Sequence, residues 1–174
     1  MQVKGRVACE VNSADELLVT ELIFNGVFNE LDSAQAAALL SCLVYTEKGD
    51  DEGPALREEL AAPLRALQDA ARRIAQVSAD CKIELDADEY VSTFRSDLME
   101  LVHAWVHGAK FIDVCGMTKE FEGTIVRVLR RLEELCRQLA DAAKAIGDEA
   151  LEQKFKEASA KMRRGVVFSS SLYL

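Results

Sequence analysis

Residues 118–147 constrain the fold most, because apolar side chains recur through this segment at helical spacing. On a helical wheel of about 3.6 residues per turn, the side chains divide into two opposite stripes. The apolar stripe contains Phe121, Ile125, Val128, Leu129, Leu132, Leu135, Cys136, Leu139, Ala143 and Ile146. The polar stripe contains Arg127, Arg130, Arg131, Glu134, Arg137, Gln138 and Asp141. The pattern predicts one long amphipathic helix that Thr118 caps and that ends before Gly147.

The rest of the chain shows shorter helical patterns and no recurring strand pattern. A helix begins after Ser13, and Asp32 or Ser33 caps a mostly apolar one. Pro63 is expected to kink or restart a long helix. The last two of these helices span 34–45 and 54–83, further helices are predicted at 96–108, 110–115 and 148–164, and a polar turn is predicted at 86–90. The sequence thus predicts an all-α helical bundle of about six to eight helices, with one long central helix and a single domain over 1–174.

The charge distribution narrows the choice of partner. The formal net charge is −9, which argues against a protein that coats nucleic acid with a broad basic surface. Four arginines nevertheless share the polar stripe of the long helix. One interpretation is the solvated face of an ordinary amphipathic helix. The other is a local RNA contact, because arginine binds phosphate in bidentate fashion and stacks on bases.

The motifs of nucleotide hydrolysis are missing from these 174 residues. The sequence has no G-x-x-x-x-G-K-[ST] phosphate loop and no Asp-Glu pair followed by His or Asp. It has no G-x-S-x-G nucleophile motif and no C-x-x-C pair. We therefore predict no catalytic residue, no cofactor and no metal ligand in this chain.

One group of residues suggests a metal-binding alternative. Glu100, His103 and His107 share one side of a predicted helix, with Asp97 one turn earlier. A di-iron bundle takes a Glu-x-x-His motif from each of two helices, but the chain has only two histidines, so the second half of the site is missing. We favour two histidines that flank a core Trp105.

The ends of the chain bear on membranes and partners. Residues 1–7 lack the apolar core of a secretory signal, and the apolar run 34–45 is shorter than the roughly 20 residues that span a bilayer. We therefore expect no membrane contact. The apolar segments 166–168 and 172–174 favour docking on the domain's own bundle, with docking on a neighbouring protein as the scaffold alternative.

Three segments together resemble a known family. They are Lys4-Gly5-Arg6-Val7-Ala8-Cys9-Glu10 with Ser13-Ala14-Asp15-Glu16-Leu17-Leu18, then Phe121-Glu122-Gly123-Thr124-Ile125-Val126-Arg127 with Arg130-Arg131-Leu132-Glu133-Glu134-Leu135, and finally Ser171-Leu172-Tyr173-Leu174. In this order, they resemble the DOB/SKI helicase C-terminal domain, called DSHCT, over essentially the whole chain.

The resemblance implies that the chain is a fragment of a larger DExH-box RNA helicase. In such a helicase, two RecA-like domains, a winged helix and an arch insertion precede this domain. Such a parent uses ATP and Mg in its RecA-like domains to thread single-stranded RNA, with 3′-to-5′ polarity, into the RNA exosome. Segment 118–146 corresponds to the family's ratchet helix. By motif position, Arg131 and Glu134 match its RNA-facing arginine and glutamate, while Arg127, Arg130 and Arg137 are further RNA-binding candidates.

Two relatives compete within the family. The Arg-Leu-Glu-Glu-Leu run and the Ser-Leu-Tyr-Leu ending resemble the nuclear helicase of the TRAMP polyadenylation complex. That relative implies a nuclear location and TRAMP-type adaptors. The cytoplasmic superkiller helicase is the alternative.

Overall fold

The computed structural model describes residues 15–45, 55–80 and 86–168. Over these residues the chain forms eight α-helices, one short 3-10 helix and no strand, which confirms the predicted all-α bundle. The helices are α1 (Glu16–Phe24), α2 (Ser33–Val44), α3 (Glu58–Asp80), α4 (Ala87–Ser92), α5 (Met99–Val106), α6 (Phe111–Cys115), α7 (Glu122–Ala145), α8 (Glu149–Met162) and the 3-10 helix Gly165–Phe168.

Two helices form the centre of the bundle. Helix α2 is buried at every position except Gln35 and packs against α3, α5, α7 and α8. Helix α7 packs most extensively against α8 and also contacts α2 and the 3-10 helix. Because a helix covered on several sides must be apolar nearly all round, the composition of segment 34–45 correctly indicated its central position. Within the described ranges, no helix is long and apolar enough to cross a membrane.

Aspartates cap four of the helices. Asp15, Asp32, Asp86 and Asp148 each accept a hydrogen bond from a backbone N–H in the first turn of α1, α2, α4 and α8. The predicted cap at Asp32 is therefore confirmed, whereas Ser13 lies outside the described residues. The predicted polar turn at 86–90 was wrong, because the Asp86 carboxylate accepts from two successive N–H groups and starts a short helix.

Helix α3 contains Pro63 and still continues to Asp80. A proline has no N–H, so the carbonyl of Glu59, four residues earlier, loses its intrahelical partner. The side-chain Nε2 of Gln35 donates to that carbonyl at 2.9 Å. The Gln35 Oε1 also accepts from the Asp32 N–H at 3.0 Å and completes a capping box on α2. One glutamine thus satisfies the ends of two helices, which explains how the predicted interruption is tolerated.

This dual role of Gln35 can be tested by Gln35→Glu. The substitution keeps an acceptor for Asp32 but removes the donor to the Glu59 carbonyl. We expect the free energy of unfolding in urea to fall by about 0.5–1.5 kcal/mol. The same substitution in a Pro63→Ala background should cost much less, because position 63 then has an N–H for that carbonyl. An equal loss in both backgrounds would contradict this account.

The end of α8 is held by an aromatic clamp at Trp105. The indole is fully buried and its Nε1 donates to the Met162 carbonyl at 3.1 Å. The guanidinium of Arg164 lies 3.6 Å from the centroid of the indole and donates to the carbonyls of Trp105 and Ala109. After these contacts the chain continues to Val167, which is fully buried. Docking of the tail on its own bundle is therefore confirmed as far as Val167, and segment 172–174 lies outside the described residues.

Candidate nucleic-acid interface

Only part of the circumference of helix α7 is exposed to solvent. The predicted apolar stripe from Ile125 to Ala143 is buried, and so are Val126, Glu133 and Ala140 on its flank. The exposed remainder carries the predicted polar stripe, but its members lie in two different environments. We call the side towards α8 and the 3-10 helix the inner edge, formed by Arg130 and Arg137 together with the buried Glu133. The opposite side, formed by Arg127, Arg131 and Glu134, is the outer edge.

A buried carboxylate organises the inner edge. Glu133 is only 3% exposed, yet its Oε1 accepts from the Ser159 hydroxyl of α8 at 2.8 Å. The Nε of Arg137 lies 2.9 Å from the same oxygen, and the Nε of Arg163 lies 3.9 Å away. A buried charge is tolerable only when it is paired and hydrogen-bonded, so this network fixes α7 against α8. This network was not predicted, because Glu133 and Glu134 are adjacent glutamates that differ only in their angle on the helical wheel.

Arg130 also serves the fold. Its Nε donates to the carbonyl of Val167 at 2.6 Å, which ties the 3-10 helix to α7. The candidates Arg130 and Arg137 therefore both have intramolecular partners. Their predicted role in RNA binding stays a prediction, and their structural role is visible in these contacts.

The outer edge opens onto a groove of about 630 Å³. The residues that line it are Phe121, Gly123, Thr124, Arg127, Arg130, Arg131 and Glu134. Arg131 and Glu134 are exposed, and within the described residues neither side chain has a hydrogen bond or ion pair. The groove therefore presents charged groups that the fold does not use. Guanidinium groups of this kind can bind phosphate, and the neighbouring carboxylate limits how tightly a polyanion is held.

Two predictions at the start of α7 were wrong. Thr118 does not cap the helix, and Phe121 is not buried but 84% exposed as the N-cap residue of α7. The Thr118 hydroxyl instead accepts from the Glu120 N–H at 3.2 Å and forms a local turn. The Glu120 carboxylate accepts from the Tyr45 hydroxyl at 2.6 Å, which holds this turn against the end of α2. Because of this contact the helix begins three residues later than its pattern predicts.

The two edges should respond differently to alanine. We expect Arg137→Ala to lower the free energy of unfolding by about 1.5–3 kcal/mol, because it removes the closest cation from the buried Glu133 carboxylate. Arg131→Ala should stay within about 0.5 kcal/mol of the parent chain, since it removes an exposed side chain with no partner. Urea unfolding of both variants checks this, and equal losses would show that the two edges do not differ.

The side chains that suggested a metal site make other contacts in the fold. Glu100 Oε2 lies 3.0 Å from the Nε of Arg57, and its Oε1 accepts from the Arg57 backbone N–H. His103 is buried, with its Nε2 3.8 Å from a Glu59 carboxylate oxygen and its ring 4.5 Å from that of His107. Among residues 15–45, 55–80 and 86–168, no three His, Cys, Asp or Glu side chains are grouped to hold a metal ion.

Burial of His103 gives the domain a pH dependence. Burial, followed by the positive charges of His107 and Arg57, lowers the pKa of His103 from its usual 6.5, although Glu59 acts in the opposite direction. Below pH 6.5 the unfolded chain therefore binds this proton more readily than the folded chain does. The free energy of unfolding is therefore highest above pH 6.5, where His103 is neutral in both states. It falls as the pH drops below 6.5 towards the folded pKa.

Urea unfolding at about pH 7.5 and about pH 5.5 tests this expectation, because histidine is the side chain that ordinarily titrates in that window. The free energy of unfolding should fall on acidification, and His103→Gln should reduce the fall. A fall of the same size in the variant would place the responsible proton elsewhere.

The fold and its exposed groove define an all-helical domain in which the long helix α7 is anchored in the core and presents one arginine-bearing edge. The chain matches the family described as the DSHCT (NUC185) domain over residues 1–169, and it belongs to that family, as the sequence motifs predicted. It is 56% identical over 174 residues to "ATP-dependent RNA helicase mtr4" of Schizosaccharomyces pombe, covering 100% of this chain and 16% of that protein.

Two further relatives are also RNA helicases by name. The chain is 55% identical over 174 residues to human "Exosome RNA helicase MTR4", covering 100% of this chain and 17% of that protein. It is 51% identical over 175 residues to the Arabidopsis thaliana "DExH-box ATP-dependent RNA helicase DExH10", covering 100% of this chain and 18% of that protein. The chain thus spans less than a fifth of the length of these relatives.

Proposed function

We propose that this domain works within an ATP-dependent RNA helicase of the exosome-linked type, and that α7 is its ratchet helix. In this proposal the outer edge of α7 contacts single-stranded RNA while the parent enzyme unwinds it with 3′-to-5′ polarity. The names of the relatives support the helicase and exosome parts of the proposal. The RNA contact rests on the geometry of the groove.

The observation that carries the RNA contact is the position of Arg131 and Glu134. These two exposed side chains lack partners in the described structure, yet the helix that holds them is buried on its other sides. The rigid helix fixes the backbone that carries both side chains, so no backbone has to be ordered when the guanidinium binds phosphate. A neighbouring carboxylate weakens the hold on the strand, which suits a surface along which RNA must move.

The rest of the proposal concerns the parent protein. ATP and Mg would bind in RecA-like domains, which with a winged helix would precede this domain and pack against it. A location in the nucleus and TRAMP-type adaptors follow from the motif resemblance, with the superkiller-type helicase of the cytoplasm as the alternative. In this arrangement the domain supplies no catalytic group and guides RNA towards the exosome.

The proposed RNA contact can be tested by Arg131→Ala in a helicase that carries this domain. We expect unwinding of a 3′-tailed RNA duplex to slow by about tenfold, because a charged hydrogen bond to RNA is lost, while ATP hydrolysis stays near normal. Arg73→Ala on α3 is a matched control, since it removes another exposed arginine from a long helix. Unchanged unwinding in the Arg131→Ala enzyme would leave the outer edge as a solvated surface.

A protein-binding role has one observation in its favour. Ile112 and Met117, which flank the end of α6, are exposed apolar side chains. Large exposed apolar residues mark interfaces when they form a patch. Their position supports packing against a neighbouring domain or adaptor, whereas the burial of Val167 in the domain's own core removes that part of the tail from the scaffold interpretation.

A further inference from the structure

We propose that Phe121 is a stacking platform for one nucleobase of an RNA strand whose phosphates lie along Arg127 and Arg131. This inference rests on the proposed function and extends it to a residue outside the polar stripe. The partner it implies is single-stranded RNA with an unpaired base at the start of α7, because paired bases do not expose a face for stacking.

The fold does not account for a phenylalanine at position 121. The residue is the N-cap of α7, a position where Ser, Thr, Asp and Asn are preferred because their oxygens accept from the first N–H groups. Phe121 makes no such hydrogen bond. Its ring is also 84% exposed, so it contributes little to the core. The side chain therefore supports neither the cap nor the packing, and it lines the groove beside the arginines.

Gly123, two residues further on, shows the same departure. It lies in the first turn of α7, where glycine destabilises a helix relative to alanine by the loss of backbone freedom. Apart from its chain neighbours and the backbone of its own helix, no described atom lies within 4 Å of the position that a Cβ would take, so packing does not require glycine here. An absent side chain lets a ligand approach the helix backbone closely. Two neighbouring positions thus depart from helix preferences, and both line the same groove.

Contacts on both sides of Phe121 hold the backbone that carries the ring. Phe121 follows Glu120, whose carboxylate is bonded to the Tyr45 hydroxyl, and its own carbonyl accepts from the N–H groups of Thr124 and Ile125 at 2.9 and 3.1 Å. The backbone on both sides of the ring is therefore fixed. The rise of the helix places Arg127 about 9 Å and Arg131 about 15 Å further along the axis, within reach of a few nucleotides of one strand.

The lining of the groove favours RNA over an apolar protein segment. Three arginines and one glutamate line the same groove as the exposed ring, which gives the groove an excess of positive charge in a chain whose net charge is −9. A strand of RNA offers both the phosphates for the guanidinium groups and the flat base for the ring. A hydrophobic peptide would offer no anionic group to the guanidinium of Arg131.

The experiment measures binding of the 174-residue chain to fluorescent U10 RNA, and to an abasic strand of the same length, by anisotropy at low salt. Phe121→Ser removes the ring and adds a favourable N-cap. Phe121→Tyr keeps a ring of the same shape. Arg131→Ala removes a phosphate contact, and Leu17→Ala is the matched control that removes an exposed apolar side chain outside the groove.

We expect Phe121→Ser to weaken binding to U10 by about fivefold or more, as loss of one base stack does, with little effect on the abasic strand. Phe121→Tyr should bind as the parent chain does. The melting temperature of the Phe121→Ser variant should rise, because serine caps the helix. A lower melting temperature would show that the ring serves the fold and would overturn the inference.

The binding data separate the two levels of the proposal. If Phe121→Ser binds U10 as tightly as Leu17→Ala while Arg131→Ala binds more weakly, the stacking platform is overturned and the RNA contact of the outer edge stands. If the parent chain and Arg131→Ala show no saturable binding to either strand, the RNA contact of this chain and the stacking platform are both overturned.

Discussion

The burial of Glu133 determines which side chains of α7 are exposed to a ligand. A carboxylate in the core needs its partners in one particular arrangement, and Ser159 on α8 and Arg137 on α7 provide it. Rotating α7 by a single residue would move Glu133 away from Ser159 and Arg163, and the buried carboxylate would keep only Arg137 of its own helix, which is unfavourable for a charge in the core. Apolar packing alone specifies rotation less sharply, because hydrophobic contacts are not directional. We infer that this network sets the rotation of α7 and thereby turns Arg131 and Glu134 outward.

The parts of the fold that depend on local pattern were predictable from the sequence. Helical periodicity located α2, α7 and α8, and the position of Asp32 before an apolar run located a helix cap. The errors occurred where a distant residue decides the local structure. Glu120 is held by Tyr45, 75 positions away, so α7 starts late. The Glu59 carbonyl is satisfied by Gln35, which no window around Pro63 contains, so α3 continues through the proline.

The candidate interface shows the same division. The helical wheel correctly separated the polar stripe from the buried stripe along most of α7, but it treated the arginines of the polar stripe as equals. Their separation into two edges depends on Val167 and on the Glu133 network, which approach from later in the chain. Motif position and geometry are independent sources, and both single out Arg131 and Glu134. Their agreement supports the proposed RNA contact more strongly than either source does alone.

The departures at the start of α7 have physical meaning because the rest of the helix is so regular. From Ile125 onward, apolar residues face the core, charged residues face water or a partner, and Gly147 follows the helix end with a φ of 80°. Natural sequences tend to break such local rules where a function requires it. An exposed phenylalanine at a cap and a glycine without a packing reason both destabilise this end of α7, yet both line the groove that also contains Arg127 and Arg131. A surface shaped only for solubility would not need both, whereas a surface that receives a flat base next to a phosphate would.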